Sequence, residues 1–209
     1  MDDSFKNEVL FKILVIGDFG VGKTSIIRRY AEGTFSPKYK ITIGADFAIK
    51  RLDWDEDLRI NLQLWDIAGH ERFGSLTSVY YRYAVGAAIV FDLTRPETFE
   101  SVTKWLNDLK DKISLPKGQN LPVILLANKA DITTGSLPQD LTMFCKQHNI
   151  KCWHLTSAKE NINIAKAMNI LVQSALENYH NNGHIDSDAV KIHEDQTKNN
   201  KKRCSQCSR

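Results

Sequence analysis

Glycines, a lysine and a hydroxyl residue at fixed spacing are the first chemistry this chain offers. Gly17-Asp18-Phe19-Gly20-Val21-Gly22-Lys23-Thr24 fits G-x-x-x-x-G-K-S/T at every fixed position. Backbone N–H groups converge on phosphate oxygens only where no side chain crowds the approach, hence glycine. A helix opening at Lys23 turns its positive N-terminal end on the same anion. Lys23 brings a compact cation to the outer phosphates, and Thr24 a hydroxyl to Mg2+. The pattern follows an apolar run and opens a helical one, so it reads as a nucleoside triphosphate site and not as a chance glycine turn. Contacts are expected from Gly20, Val21, Gly22, Lys23, Thr24 and Ser25.

Asn128-Lys129-Ala130-Asp131 closes another apolar run and selects the base. The Asp131 carboxylate can accept from N1–H and the exocyclic amine of guanine. Adenine presents an acceptor at N1 and would leave that carboxylate unpaired, a discrimination that can be large. Alone, the match is as well explained by a solvated turn; downstream of a phosphate loop it predicts guanine. Trp65-Asp66-Ile67-Ala68-Gly69 adds a carboxylate, Asp66, suited to hold Mg2+ through water, since Mg2+ keeps several waters. Gly69 can donate its N–H to a γ-phosphate. Thr42, in an irregular segment, could complete the metal set with Thr24 and Asp66, although by itself it would read as a surface threonine.

Those residues need a scaffold that brings distant loops together. Apolar strand-like runs at residues 11–16, 47–52, 58–65, 87–91, 123–127 and 151–155 alternate with helical periodicity at 23–30, 99–113, 139–148 and 162–179. Such alternation predicts an α/β fold with a parallel sheet. The acidic stretch Asp53-Trp54-Asp55-Glu56-Asp57 reads as a hairpin turn, which makes one strand pair antiparallel. Ile164, Met168, Leu171, Ala175 and Tyr179 share one helical stripe, expected to pack in the core. Past Tyr179 the chain turns polar and loses periodicity, so 181–209 is expected to be disordered.

Composition narrows the classes further. With 209 residues and 42% apolar content the chain can bury an ordinary core, which excludes a wholly disordered chain or a small disulfide scaffold. Lys+Arg 28 against Asp+Glu 25 gives a net charge of +3, too little to suggest a nucleic-acid partner. The longest apolar run, residues 84–91, falls far short of the roughly 20 needed to span a bilayer. No leader is read at the N-terminus, and Asp2 stands where N-myristoylation needs glycine. Cys145 and Cys152 read as free thiols in a cytosolic body.

These motifs, in this order, resemble the Rab branch of the Ras superfamily of small GTPases over residues 8–180. Ile43-Gly44-Ala45-Asp46-Phe47, Leu64-Trp65-Asp66-Ile67-Ala68-Gly69-His70-Glu71-Arg72-Phe73, Tyr80-Tyr81-Arg82-Tyr83-Ala84, Phe91-Asp92-Leu93-Thr94 and Thr156-Ser157-Ala158-Lys159 carry the resemblance. The Ile67-Ala68-Gly69 variant, Leu115-Pro116-Lys117-Gly118 and Phe144-Cys145-Lys146-Gln147-His148 resemble the Rab thirty-two/thirty-eight subgroup of lysosome-related organelles. The resemblance implies a P-loop NTPase of Ras-like type: six mostly parallel strands, with five helices covering both faces. Residues 8–180 would form the GTP-binding domain and 181–209 a variable tail. It implies a monomeric switch regulating vesicle and organelle traffic, binding GTP or GDP with Mg2+. The segments about 35–47 and 66–83 would order around the γ-phosphate and be released after hydrolysis. Phe35, Ser157, Ala158 and Lys159 would join Asn128, Lys129 and Asp131 around the base. Lys23, Gly69 and His70 would serve catalysis. Phe47, Trp65 and Tyr80 fall on the family's aromatic triad for effectors, against the plainer reading of core filling. Implied partners are an exchange factor, a GTPase-activating protein, an escort protein or GDP-dissociation inhibitor, and effectors. The place is the cytosolic face of endosomal or lysosome-related membranes.

Two residues depart from the family pattern. His70 stands where a glutamine usually orients the attacking water, and an imidazole is rigid, differently spaced and partly cationic near its pKa of roughly 6.5. Phe19 puts a large ring in the phosphate loop. Slow intrinsic hydrolysis is expected, with a non-hydrolysing GTP-binding module as the alternative and harmless variation at His70 as the plainest one. A P-loop nucleotide kinase would need an acceptor pocket and a lid, which no segment suggests. In the tail, Lys201-Lys202-Arg203-Cys204-Ser205-Gln206-Cys207-Ser208-Arg209 joins cations to two cysteines without forming C-a-a-X. One C-x-x-C makes a poor zinc site, and prenylation of Cys204, Cys207 or both fits best. One lipid binds weakly, so a second chain or the basic cluster would complete the anchor.

Overall fold

The computed structural model describes residues 7–38, 40–69, 77–115, 118–133, 137 and 140–181. The expected tail from residue 182 onward, with Cys204 and Cys207, lies outside the described residues, as does His70. Six strands follow in chain order: β1 (Asn7–Ile16), β2 (Ala45–Asp53), β3 (Leu58–Ile67), β4 (Ala84–Asp92), β5 (Val123–Asn128) and β6 (Cys152–Leu155). They form one sheet in the order β2-β3-β1-β4-β5-β6. The β2/β3 hairpin is antiparallel, and every other pair is parallel.

Side chains alternate across this sheet, and its central strands β1, β4 and β5 are buried on both faces, unlike the edge strand β2. In β1, Phe11, Ile13 and Val15 enter one core while Leu14 and Ile16 enter the other. In β5, Ile124 and Leu126 face the first core, and Val123, Leu125 and Ala127 the second. That is why these strands read as continuous apolar runs. The first core is closed by α1 (Lys23–Glu32) and α6 (Ile164–Asn181), the second by α4 (Val102–Lys112) and α5 (Leu141–Gln147). Two short helices, α2 (Thr77–Tyr81) and α3 (Pro96–Glu100), complete the set.

Three helical expectations need correction. The run at 99–113 starts earlier, at Pro96, whose fixed φ suits a first helical position. It divides at Ser101, yet Ser101 N still donates to Glu97 O and Trp105 N to Ser101 O, so α3 and α4 follow each other closely. Six helical segments therefore stand among the described residues where five were expected. The last helix begins at Ile164 and not at residue 162, because Ile162 bridges to Ser157 and Asn163 turns through φ 54. It ends at Asn181, so that residue is helical and not disordered. The stripe itself packs as expected: Ile164, Met168, Leu171 and Ala175 are buried, and Tyr179 packs edge-on against Phe11 with ring centroids 5.8 Å apart. No helix among the described residues is long and apolar enough to cross a membrane.

Strand order matters for the site. From β1 the chain passes to β2 and β3 on one side and then crosses to β4 on the other, so a crevice opens beyond the carboxyl ends of these strands. The phosphate loop follows β1, Asp66 stands at the end of β3 with Gly69 just beyond it, and Asn128 ends β5 with Lys129–Asp131 following.

Candidate functional site

One cavity of about 300 Å³ lies in that crevice. Gly20, Gly22, Lys23, Thr24, Ser25, Phe35, Thr42, Gly69, Asn128, Lys129, Asp131, Ala158 and Lys159 all line it. Three expected contacts stand one layer behind. Val21 is fully buried and accepts a hydrogen bond from Asn128 Nδ2 on its backbone oxygen at 2.8 Å. Ser157 is buried and donates to Asp131 Oδ1 at 2.6 Å. Asp66 is buried beneath Thr24 and Thr42.

The phosphate loop needs its glycines for room and for conformation. A Cβ at Gly22 would lie 2.4 Å from Asn128 Nδ2, with the backbone at φ +100. One at Gly69 would lie 2.3 Å from Phe19 N, so the loop after β3 rests directly on the phosphate loop. Lys23 donates from Nζ to Gly17 O at 2.9 Å and Asp18 O at 3.0 Å. Burial pushes its ammonium pKa down to about 8, partly opposed by the carboxylates of Asp66 and Asp18. A phosphate group against it would restore the charge that burial penalises.

Beside Lys23 lies a cluster of oxygens. Thr24 Oγ1 donates to Asp66 Oδ2, Thr42 Oγ1 lies 3.1 Å from the same oxygen, and the two hydroxyls are 3.0 Å apart. Asp66 Oδ1 is buried without a hydrogen-bond partner. Burial raises the pKa of this carboxyl, while the two threonines and Lys23 pull it back. Ala68 N donates to Gly44 O at 2.9 Å, tying the segments after β3 and before β2 together.

At the other end, Asn128 binds the loops to one another. Its Oδ1 accepts from Ala158 N at 3.3 Å and Thr156 Oγ1 at 3.4 Å, while its amide holds Val21. Asp131 Oδ2 lies 3.9 Å from Lys159 Nζ. Arg29, which sequence reasoning missed, donates from α1 to Ala158 O at 2.9 Å and Lys159 O at 3.0 Å. Its partners lie 129 and 130 residues away, so no local signal marks it. Also missed were Asp18, which accepts from Trp105 Nε1 at 2.8 Å, and the cavity residues Arg28, Lys38, Lys40 and Ile132.

A cavity built from a glycine-lysine loop, a hydroxyl–carboxylate cluster and an Asn-Lys-x-Asp loop is matched by a known family over most of the chain. Residues 12–177 match the Ras family. The chain belongs to the Ras family. Among curated relatives, Ras-related protein Rab-32 of Homo sapiens is 50% identical over 202 residues, 96% of this chain and 90% of that protein. Ras-related protein Rab-32B of Dictyostelium discoideum is 51% identical over 178 residues, 85% of this chain and 68% of that one. Ras-related protein Rab-7L1 of Homo sapiens is 46% identical over 170 residues, 81% and 84% of the two chains. This Ras-family chain is accordingly a Rab-type small GTPase, a GTP hydrolase that binds GTP and GDP and regulates membrane traffic. The relatives do not favour a non-hydrolysing module. Membership brings the family's classes of partner: exchange factor, activating protein, GDP-dissociation inhibitor and effector. It also makes the chain an endomembrane-associated Rab.

On a separate surface, Phe47 stacks on Trp65 with centroids 5.7 Å apart, and Trp65 meets Tyr80 at 6.3 Å. Phe47 is 54% exposed while Trp65 and Tyr80 are half-buried, so the trio is both a core edge and a surface. Lys12 Nζ sits 3.8 Å over the Trp65 ring.

Proposed function

We propose that the cavity holds a guanine nucleotide with one Mg2+ ion and that its residues divide the work as follows. Backbone N–H groups of the Gly20–Ser25 segment cradle the phosphates, and the Lys23 ammonium balances their outer charge. Thr24, Thr42 and Asp66 hold the metal, directly or through water. Their hard oxygens and single carboxylate suit Mg2+, and the unpartnered Oδ1 of Asp66 supports that fit. When bound, Mg2+ neutralises charge developing on the phosphate oxygens. Gly69 offers its N–H to the γ-phosphate, and His70 orients the attacking water. Phe35, Ala158 and Lys159 flank the base, and Asp131 reads it.

The observation that carries this reading is the placement of Asp131. Ser157 fixes one carboxylate oxygen, and the residue lines the same cavity as Lys23. Asp131→Asn replaces an acceptor by an amide that can donate to the 2-oxygen of xanthine. The variant should lose GTP by at least about 100-fold and bind xanthosine triphosphate instead, read by nucleotide competition. An unchanged preference for GTP would sink the assignment.

His70 and Phe19 support a slow intrinsic rate, because neither residue supplies what an amide and a small residue would. The Phe47, Trp65 and Tyr80 trio offers effectors a preassembled aromatic surface. Residues 182–209 act as a tail, anchored by prenyl groups on Cys204, Cys207 or both with help from the neighbouring cations. Intact mass of the membrane-extracted chain would count them, and an unmodified mass there would refute the anchor. Endosomal or lysosome-related membranes are the proposed destination.

A further inference from the structure

A side chain outside the cavity lining joins the end of β4 to the phosphate loop. Arg95 sets Nε 3.0 Å from Asp92 Oδ2 and donates from Nη2 to the backbone oxygen of Phe19 at 2.6 Å. Asp92 has a fully buried side chain, and its remaining capacity is committed. Oδ2 also takes Lys129 Nζ at 2.6 Å, while Oδ1 takes the N–H and hydroxyl of Thr94 at 2.9 and 2.7 Å. One carboxylate thus fixes both a guanidinium on the phosphate loop and an ammonium in the guanine loop. The guanidinium is a rigid planar fork, so anchoring Nε on Asp92 also sets the direction of Nη2.

Peptide geometry says what the bond accomplishes. The Phe19–Gly20 peptide is trans, so the Phe19 oxygen and the Gly20 N–H point to opposite sides. The oxygen faces Arg95, which does not line the cavity, whereas Gly20 does. Gly20 sits at φ +72, where glycine's freedom leaves the peptide able to rotate unless something holds it. We propose that Arg95 is a positioning residue of the nucleotide site: tethered by Asp92, it holds the Phe19–Gly20 peptide so that the Gly20 N–H is aimed at the phosphates. The inference rests on the guanine-nucleotide reading of the cavity. It is separable from the local role of this turn, because Thr98 N and Oγ1 donate to the backbone oxygen of Arg95, not to its side chain.

The test compares wild type with Arg95→Ala and Arg95→Lys, each loaded with fluorescently labelled GDP and chased with unlabelled GDP. Single-turnover hydrolysis of preloaded GTP and thermal unfolding are measured in parallel. Loss of a charge-assisted bond to the loop predicts about tenfold faster GDP release from Arg95→Ala and slower hydrolysis of bound GTP. Arg95→Lys keeps the charge but not the fork, so it should recover only part of the difference. Arg95→Gln, which keeps a donor on a shorter stem, carries the comparison if the alanine variant fails to fold. Release and hydrolysis within twofold of wild type in Arg95→Ala would overturn the proposal, and so would full recovery by lysine. A wild type that retains no labelled GDP would overturn the nucleotide reading itself, and this inference with it.

Discussion

Asp92 holds two cations on one buried carboxylate, and its titration is the clearest residue-scale consequence. Burial alone would raise its pKa, but hydrogen bonds from Lys129, Thr94 and Arg95 outweigh it and hold the carboxyl below the usual range. A group bound more weakly to its proton in the fold adds stability above the unfolded pKa, about 4, and loses it as pH falls below that value. Asp92→Asn should therefore cost about 2 kcal/mol at pH 7, with Arg95 and Lys129 left partly solvated. The gap to wild type should narrow below about pH 4, where the wild-type carboxyl itself takes a proton. Urea unfolding from pH 7 down to pH 3 measures it, and a gap that stays constant would refute the role. Asp92 stood in plain view within a family-like segment, as did Thr94 and Lys129, yet their pairing with it and with Arg95 did not. Gly22, Lys23 and Asp131 were legible because their chemistry is local to short loops; Arg95 and Arg29 act on carbonyls 76 and 129 residues away. No local pattern encodes such a contact.

At the scale of elements, Gly86 in β4 decides how closely α6 can approach the sheet. A Cβ there would lie 3.0 Å from both Ile13 Cδ1 and Leu171 Cδ1. Alanine asks those methyl ends to shift slightly, whereas valine overfills the gap. Gly86→Val should lose about 1–3 kcal/mol in urea unfolding and leave labelled-GDP release close to wild type. Wild-type stability in that variant would mean the helix is not pressed against the strand. The strands were legible from their apolar runs, and their longer true lengths come from pairing: β1 reaches back to Asn7 because β3 offers Leu58 as its neighbour. Helix ends were less legible. The late start of α6 depends on Ile162 bridging back to Ser157 within the loop that precedes the helix, while the break at Ser101 falls where helical hydrogen bonds still run through. The cap of α5 was readable in principle, since Asp140 accepts from Thr142 N and Met143 N in the usual N-cap manner.

Across the whole molecule, function depends on strand order, which the linear sequence does not state. Alternating strands and helices imply a parallel sheet, but only the order β2-β3-β1-β4-β5-β6 places three separate loops around one crevice. Residue types recognised separately as phosphate, metal and base chemistry then meet in one cavity, with Asn128 and Arg29 lacing the loops together. The central claim is that this cavity turns over GTP, and slowly, because His70 and Phe19 replace better-suited residues. Its most direct test is single-turnover hydrolysis of preloaded GTP with Mg2+, wild type beside His70→Gln. The account predicts conversion of bound GTP to GDP and phosphate in both, at least about tenfold faster in His70→Gln, the scale of a positioned proton-handling or water-orienting group. Equal rates would contradict the role given to His70, and GTP left intact on both proteins would contradict the catalytic account as a whole.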